Sequence, residues 1–217
     1  MKELLVKEFR LSASATTFGF LAASLMTMLP GYPILMGAFF VCMGIFHSFR
    51  YGRETNDILY TVLLPVPKRD VVRAKYAFAC MIQLMGFLPM ILLTLLRMTL
   101  LHASEVYRSN ALMNATPFYL AFVLLVYSAF NVVFLLQFFR TAYRIGAPFL
   151  KFSAAALVLL AVGESLHHFP GLGFLNVPSG ERISLQMLIL GISALAYAVL
   201  TWLSCRSAIK RFEQLDL

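Results

Sequence analysis

Apolar residues fall along this chain in six long runs: Leu11–Leu29, Pro33–Phe49, Val71–Leu96, Pro117–Phe139, Pro148–His167 and Ser184–Ser204. Each approaches the roughly 20 residues that an α-helix needs to cross the hydrocarbon of a bilayer. The weakest are the first, rich in Ser, Thr and Ala, and the fifth, which contains Glu164. Neither an internal repeat nor a low-complexity linker interrupts them. The pattern predicts an all-α polytopic membrane protein, with six transmembrane helices in a single domain over residues 1–217.

Two shorter segments are periodic without being long enough to span. Within Arg53–Leu64, Ile58, Leu59, Val62 and Leu63 recur at the spacing of a helix face, and Arg53, Glu54, Asn56, Asp57 and Thr61 supply a polar face. Tyr60 and Leu64 belong to the same turn-and-a-half. Pro65 ends it, because proline disfavours helical geometry at Leu64 and removes a donor. The basic elbow "PVPKR" then leads back to the membrane, with Asp70 as the expected N-cap of the third span. At the N-terminus, Leu4, Leu5 and Phe9 share a face and Glu3/Lys7 form an i,i+4 pair, which predicts an interfacial helix. Periodicity leaves two readings of the loop helix open. It lies on anionic lipid, anchored by Lys68 and Arg69, or it docks into a cytosolic partner with Glu54 and Asp57 facing that partner's basic groups.

Composition agrees with the run lengths. The chain is 60% hydrophobic and 13% charged, with a mean hydropathy of +0.81, whereas soluble domains are about a quarter charged. The net charge of +8 raises nucleic acid as a partner, but its distribution argues against one. With the N-terminus inside, Lys2, Lys7, Arg10, Arg50, Arg53, Lys68, Arg69, Arg73, Lys75, Arg140, Arg144, Lys151, Arg206, Lys210 and Arg211 are all cytoplasmic. Of the 18 Lys and Arg, only Arg97, Arg108 and Arg182 fall outside. This follows the positive-inside rule and predicts a multi-pass protein of the cell membrane with both termini cytoplasmic. Lys68, Arg69, Arg73 and Lys75 are then the expected inner-surface anchors. The mixed charges of the first ten residues favour a retained helix over a signal peptide. Cys42, Cys80 and Cys205 have no paired spacing and read as small buried hydrophobes.

The stretch "GYPILMGAFFVCMGIFHSFRYGRETNDILYTVLLPVPKRDVVRAKY" resembles the membrane subunits of bacterial ABC-2 type exporters, in the small six-span permease families common in Firmicutes. Those families carry a tyrosine–proline turn, an aromatic second span, an R-E-x-N-D element, an L-P-V step and a basic K-R-D-V-V-x-A-K start to the third span. "FNVVFLLQFFRTAYRIGAPF" is similar to their fourth-span exit, so the resemblance covers roughly residues 1–155. It implies that Arg53–Leu64 is the coupling helix that inserts into a separate ATPase. It also implies that Met1–Phe9 is an elbow helix at the lipid interface and that a second permease chain, identical or a paralogue, completes the path. ATP and Mg would then sit on the partner, with no cofactor on this chain. The implied cargo is hydrophobic or amphipathic, peptide or lipid-like, moved outward.

The chain has no Gly-Lys dipeptide and hence no P-loop, and no His-Glu-x-x-His. It is expected to be a transport subunit, not an enzyme. Glu164, His167 and His168 form the one polar cluster at the end of a span. They read as an outer vestibule, since an ionisable group at membrane depth is a functional candidate, and too few ligands are present for a closed metal site. Gln83, Asn131 and Gln137 read as interhelical hydrogen-bonding groups, and Gly19/Ala23 and Ala194/Ala198 as small-residue helix contacts. Two rivals remain: a non-catalytic membrane protein for immunity or assembly, and an ion-coupled secondary transporter with charges near mid-membrane.

Overall fold

The computed structural model describes residues 2–108, 110–141, 143–178 and 182–215, and no strand occurs among them. Helix α1 (Lys2–Lys7) runs into a π-helical turn, Glu8–Ser12, and α2 (Ala15–Gly19) runs into a 3-10 segment, Phe20–Met28. The remaining helices are α3 (Met36–Glu54), α4 (Asp57–Leu63), α5 (Lys68–Thr99), α6 (Glu105–Arg108), α7 (Pro117–Ala129), α8 (Leu136–Thr141), α9 (Gly146–Leu166) and α10 (Ile183–Glu213). A π segment, Phe130–Leu135, joins α7 to α8, and a 3-10 turn, Gly173–Asn176, precedes α10.

Among the described residues, four helices are long and apolar enough to cross a membrane: Lys68–Thr99, Pro117–Thr141, Gly146–Leu166 and Ile183–Glu213. They correspond to the last four predicted runs, with ends shifted by up to nine residues. The first run differs. Lys2–Ser12 and Ala15–Met28 meet at 89° and make a fifth candidate only if counted as one broken span. Ser14 causes the break: it caps α2 by accepting from the Thr17 backbone in a capping box, so the helix restarts at Ala15 instead of running on from Leu11. α3 falls outside the set because His47, Arg50 and Arg53 lie within its length. Asp70 is not the N-cap of the third span. Pro67 takes that place, and Asp70 sits in the first turn, where its charge still suits the helix dipole.

The run from α7 to α8 is the centre of the bundle. It is apolar on all sides, as a fully surrounded helix must be. In its most apolar stretch 72% of residues are buried, against 11% for α10, which lies on the periphery and exposes Leu188, Ile192, Leu195 and Trp202. Phe130, Phe134, Phe138 and Phe139 pack against Phe46, Phe49, Phe152 and Phe212 to form an aromatic core shared by α3, α9 and α10. One polar seam crosses it. Gln83 Nε2 donates to Asn131 Oδ1 at 2.9 Å, Tyr197 donates to Gln83 Oε1 at 2.8 Å, and Asn131 Nδ2 donates to Thr201 at 2.9 Å. Gln83 and Asn131 are thus interhelical ties, as expected.

Of the residues expected at small-residue contacts, Ala23 makes one and the others do not. Gly19 has nothing within 4 Å of a would-be Cβ, and Ala194 and Ala198 are exposed. Close approach to neighbouring backbone is made by Gly37 and Gly44 on α3, while Gly86 and Gly163 are met by side chains. A Cβ on Gly37 would sit 2.7 Å from the Ala23 carbonyl oxygen, and one on Gly44 would sit 2.9 Å from Phe20 Cβ and 3.0 Å from the Thr17 carbonyl oxygen. Backbone cannot retreat as a flexible side chain can. Gly37→Ala is therefore expected to cost about 1–3 kcal/mol, while Gly19→Ala is neutral or stabilising by about 0.5 kcal/mol. Melting midpoints of the two variants in one detergent check this ordering.

Candidate functional site

The loop helix α4 covers Asp57–Leu63 of the expected Arg53–Leu64, while Arg53 and Glu54 form the end of α3. Asn56 makes the turn into it, with φ 53° and ψ 30°, a left-handed conformation that asparagine tolerates better than most residues. The orientation of α4 differs from the sequence reading. Ile58 and Thr61 are buried and Val62 is half-buried, while Leu59, Tyr60, Leu63 and Leu64 are exposed, Leu63 at 82%. The helix thus offers apolar surface on both sides, one to its own protein and one to whatever lies beyond. Arg53 and Pro65 are also exposed, and the Arg53 guanidinium lies 5.8 Å from the Tyr143 ring centre.

Glu54 and Asp57 do not share an acidic docking side. Glu54 accepts from Arg50 Nε at 3.0 Å, at the surface. Asp57 turns inward to a four-membered ionic cluster built from three elements. Lys75 Nζ on α5 lies 2.8 Å from Glu8 Oε2 and 2.9 Å from Asp57 Oδ2, with the side chains of Lys75 and Glu8 only 4% and 3% exposed. Lys7 Nζ closes the ring at 2.6 Å from Asp57 Oδ1 and 3.2 Å from Glu8 Oε1, and also donates to Thr61 Oγ1 at 2.6 Å. The Phe49 ring centre lies 5.5 Å from the Lys75 ammonium, a cation–π distance. Two carboxylates and two ammonium groups leave no net charge to bury. The arrangement pins the N-terminal helix, α4 and α5 to one another.

Burial alone would raise the Asp57 carboxyl, but the charges and hydrogen bonds of Lys75 and Lys7 outweigh it and hold the group below the usual carboxylate range. A depressed folded value adds stability that is fully present above the unfolded value of about 3.9. That stability is lost as pH falls through the lower folded value. The melting midpoint is therefore expected to be insensitive to this pair from neutrality to about pH 4.5 and to fall below that. Asp57→Asn removes that part of the acid limb.

The basic anchors divide in the same way. Lys75 is buried in the cluster and cannot reach lipid. Lys68 donates to the Leu215 carbonyl at 2.5 Å, tying α5 to the end of α10, and Arg73 reaches Asp70 at 3.4 Å. Arg69 is exposed. The expected lipid face of the N-terminal helix is likewise turned inward, with Leu4 buried and Phe9 set edge-on to Phe78 at 5.1 Å. Sequence reasoning missed the cluster because Glu8 and Lys75 are 67 residues apart. A signal was present in Lys75, a charge between Ala74 and Tyr76 inside the third apolar run.

At the other end of α5 lies a second constellation. Arg97 is 22 residues beyond Lys75, about 33 Å along an α-helix and close to the hydrocarbon thickness of a bilayer. It is 4% exposed; Nη1 donates to the Thr27 carbonyl at 2.7 Å and Nη2 to Asn114 Oδ1 at 3.0 Å, while Tyr107 stacks at 4.1 Å. Asn114 is linked to Asn176, whose Oδ1 accepts from the Asn114 backbone at 2.5 Å. Glu164 Oε2 accepts from the Met113 backbone at 2.8 Å, and His167 Nε2 lies 3.3 Å from the Ala111 carbonyl, with the tilted His168 ring centred 4.0 Å from its own. Glu164 and His167 therefore fasten α9 to the connection between α6 and α7. The apolar connection after α9 is an ordered cap: Thr116 donates to the Leu175 carbonyl and Gln186 to those of Phe174 and Val177. Its residues 179–181 lie outside the described set, as does Met1 of the elbow segment.

Long apolar helices with exposed apolar faces on the periphery and charged groups gathered at their two ends define a polytopic membrane protein. The chain belongs to the ABC-2 transporters: a family described as ABC-2 family transporter protein matches residues 3–213. No curated protein and no solved structure matches it. Membership makes it a multi-pass membrane component of an ABC transporter and implies an ABC ATPase as partner.

Proposed function

We propose that this chain is the permease half of an ATP-driven exporter and that α4 is the element through which a separate ATPase acts on it. The observation that carries this reading is the double-sided α4. It is fixed from within by the Lys7–Glu8–Asp57–Lys75 cluster, and it presents Leu59, Tyr60, Leu63 and Leu64 outward. A push on that face has a rigid route into α5 and the N-terminal helix. A ligand or motor moves an equilibrium only through differential contacts with its states, and closure of an ATP-bound ATPase pair supplies such a difference.

In this reading the bent N-terminal helix and α3 join the four long helices as six spans, with both termini cytoplasmic. α2 with its 3-10 extension rises about 25 Å and α3 about 28 Å. The weakly buried α9 and α10 face lipid or a second permease chain, identical or a paralogue. ATP and Mg2+ belong to the ATPase, and the cargo is hydrophobic or amphipathic, of peptide or lipid-like kind. A secondary transporter fits less well. The middle of the bundle is bridged by the neutral groups of Gln83, Asn131 and Tyr197, and the buried Lys75 and Arg97 sit at its two ends.

The test is reconstitution of the chain with its ATPase in vesicles. A fluorescent amphipathic peptide should move only with both chains and ATP present. Movement driven by an ion gradient without the ATPase would overturn the reading.

A further inference from the structure

The Arg97 end of the fold holds a cavity of about 610 Å3, open on one side and within the size range of small-molecule sites. Arg97, His102, Asn110, Asn114, His167 and Asn176 supply its polar lining. Arg97 is nine-tenths buried, yet among the described residues no carboxylate lies within ion-pair distance of it. A guanidinium has five N–H donors and here gives two of them to neutral oxygens. A buried charge normally has a counter-charge, so a missing anion is the simplest complement.

The neighbouring groups refine what that anion carries. Asn110 Nδ2 and His167 Nδ1 are buried and have no partner among the described residues. The nearest partner of His167 Nε2 is the Ala111 carbonyl, which can only accept, so in the neutral ring Nε2 holds the proton and Nδ1 is left as an acceptor. His102 is set likewise: its Nδ1 faces the Thr99 carbonyl at 2.8 Å, leaving Nε2 to accept. The cavity therefore offers one cation and an amide donor for an oxyanion, and two imidazole acceptors for hydroxyl groups. A bare carboxylate has no hydroxyl to offer the imidazoles, and inorganic phosphate carries its P–OH on the same compact ion, which reaches across the set less well than an ester with separate hydroxyls.

We propose that the Arg97 cavity is a binding site for a polyol phosphate, a phosphate ester flanked by free hydroxyls, with the phosphate on Arg97 and Asn110 and the hydroxyls on His102 and His167. Such a group can arrive as the headgroup of a phosphatidylglycerol-type lipid or as a soluble glycerol phosphate. The site stands apart from α4 and does not depend on ATPase docking.

The experiment measures thermal stabilisation of the full-length protein, purified in zwitterionic detergent, by four probes: phosphatidylglycerol, phosphatidylcholine, glycerol 1-phosphate and inorganic phosphate. Stabilisation by phosphatidylglycerol over phosphatidylcholine, with or without glycerol 1-phosphate, supports the site, and the glycerol 1-phosphate arm separates the lipid source from the soluble one. Inorganic phosphate should bind at least tenfold more weakly than the polyol ester. Arg97→Gln should weaken binding at least tenfold. Because that change also loosens Thr27, Gly173→Phe is the second variant: Gly173 lines the cavity, has no strained φ, and a Cβ there meets nothing within 4 Å. It should fill the site and weaken binding equally while leaving the unliganded midpoint in place. Equal stabilisation by all probes, or Gly173→Phe binding like the wild type, would overturn the assignment.

Discussion

Lys75→Met is expected to destabilise the protein by about 3–5 kcal/mol, the usual cost of removing one partner from a buried ionic group. Methionine fills a similar volume, so the loss is electrostatic. Glu8 and Asp57 are left facing each other across the vacated ammonium position, with Lys7 alone to balance two carboxylates. Lys7 is more exposed than Lys75, at 17% against 4%, so Lys7→Met should cost distinctly less. Neutralising one carboxylate as well, in Glu8→Gln/Lys75→Met, should recover part of the loss, because Lys7 and Asp57, 2.6 Å apart, then remain as a balanced pair. Melting midpoints of the three variants in a common detergent give the order. A Lys75→Met midpoint equal to wild type would mean that the cluster does not hold α4.

The second large effect concerns the other side of the same helix. Leu59→Asp with Leu63→Asp is expected to reduce ATPase association at least a hundredfold. Desolvated apolar anchors dominate such interfaces, and a carboxylate placed among them must be dehydrated without a partner. Both side chains are exposed, Leu59 at 46% and Leu63 at 82%, so the melting midpoint of the isolated chain should stay within error of wild type. Ile58→Asp makes the contrast, since Ile58 is buried in the core and its replacement should unfold the region instead. Co-purification of the tagged double variant with the ATPase reads the effect. Retained association would place the partner elsewhere on the cytoplasmic side.

What could be read from the sequence, and what could not, divides along a physical line. The long spans were legible because lipid imposes a length and an apolar content that any helix crossing it must meet. The run from Pro117 could also be read as uniformly apolar, and it is the buried centre. The break at Ser14 was missed because a capping residue inside an apolar run looks the same as a tolerated serine until Thr17 is seen to complete the box.

The candidate loop shows the same division. Its helix, its stop at Pro65 and its amphipathic character follow from local periodicity. Which face points inward does not, because that depends on Glu8 and Lys75, and their pairing is a tertiary fact. Asp57 therefore changed from an external docking charge to an internal strut, and Lys75 from a lipid anchor to the strut's centre. Arg97 was visible only as an exception to the charge asymmetry, and its position in a polar cavity gives that exception a physical setting.

The most direct measurement of the central claim, that α4 is where the ATPase engages this chain, is photo-crosslinking in native membranes from a photoreactive residue in place of Tyr60. Tyr60 is 67% exposed on the outward side of α4, and Trp202, 55% exposed on peripheral α10, is the control position. The account predicts that the Tyr60 probe captures the ATPase chain and that the Trp202 probe does not. Capture of lipid alone from Tyr60, with the ATPase present and active, would contradict it.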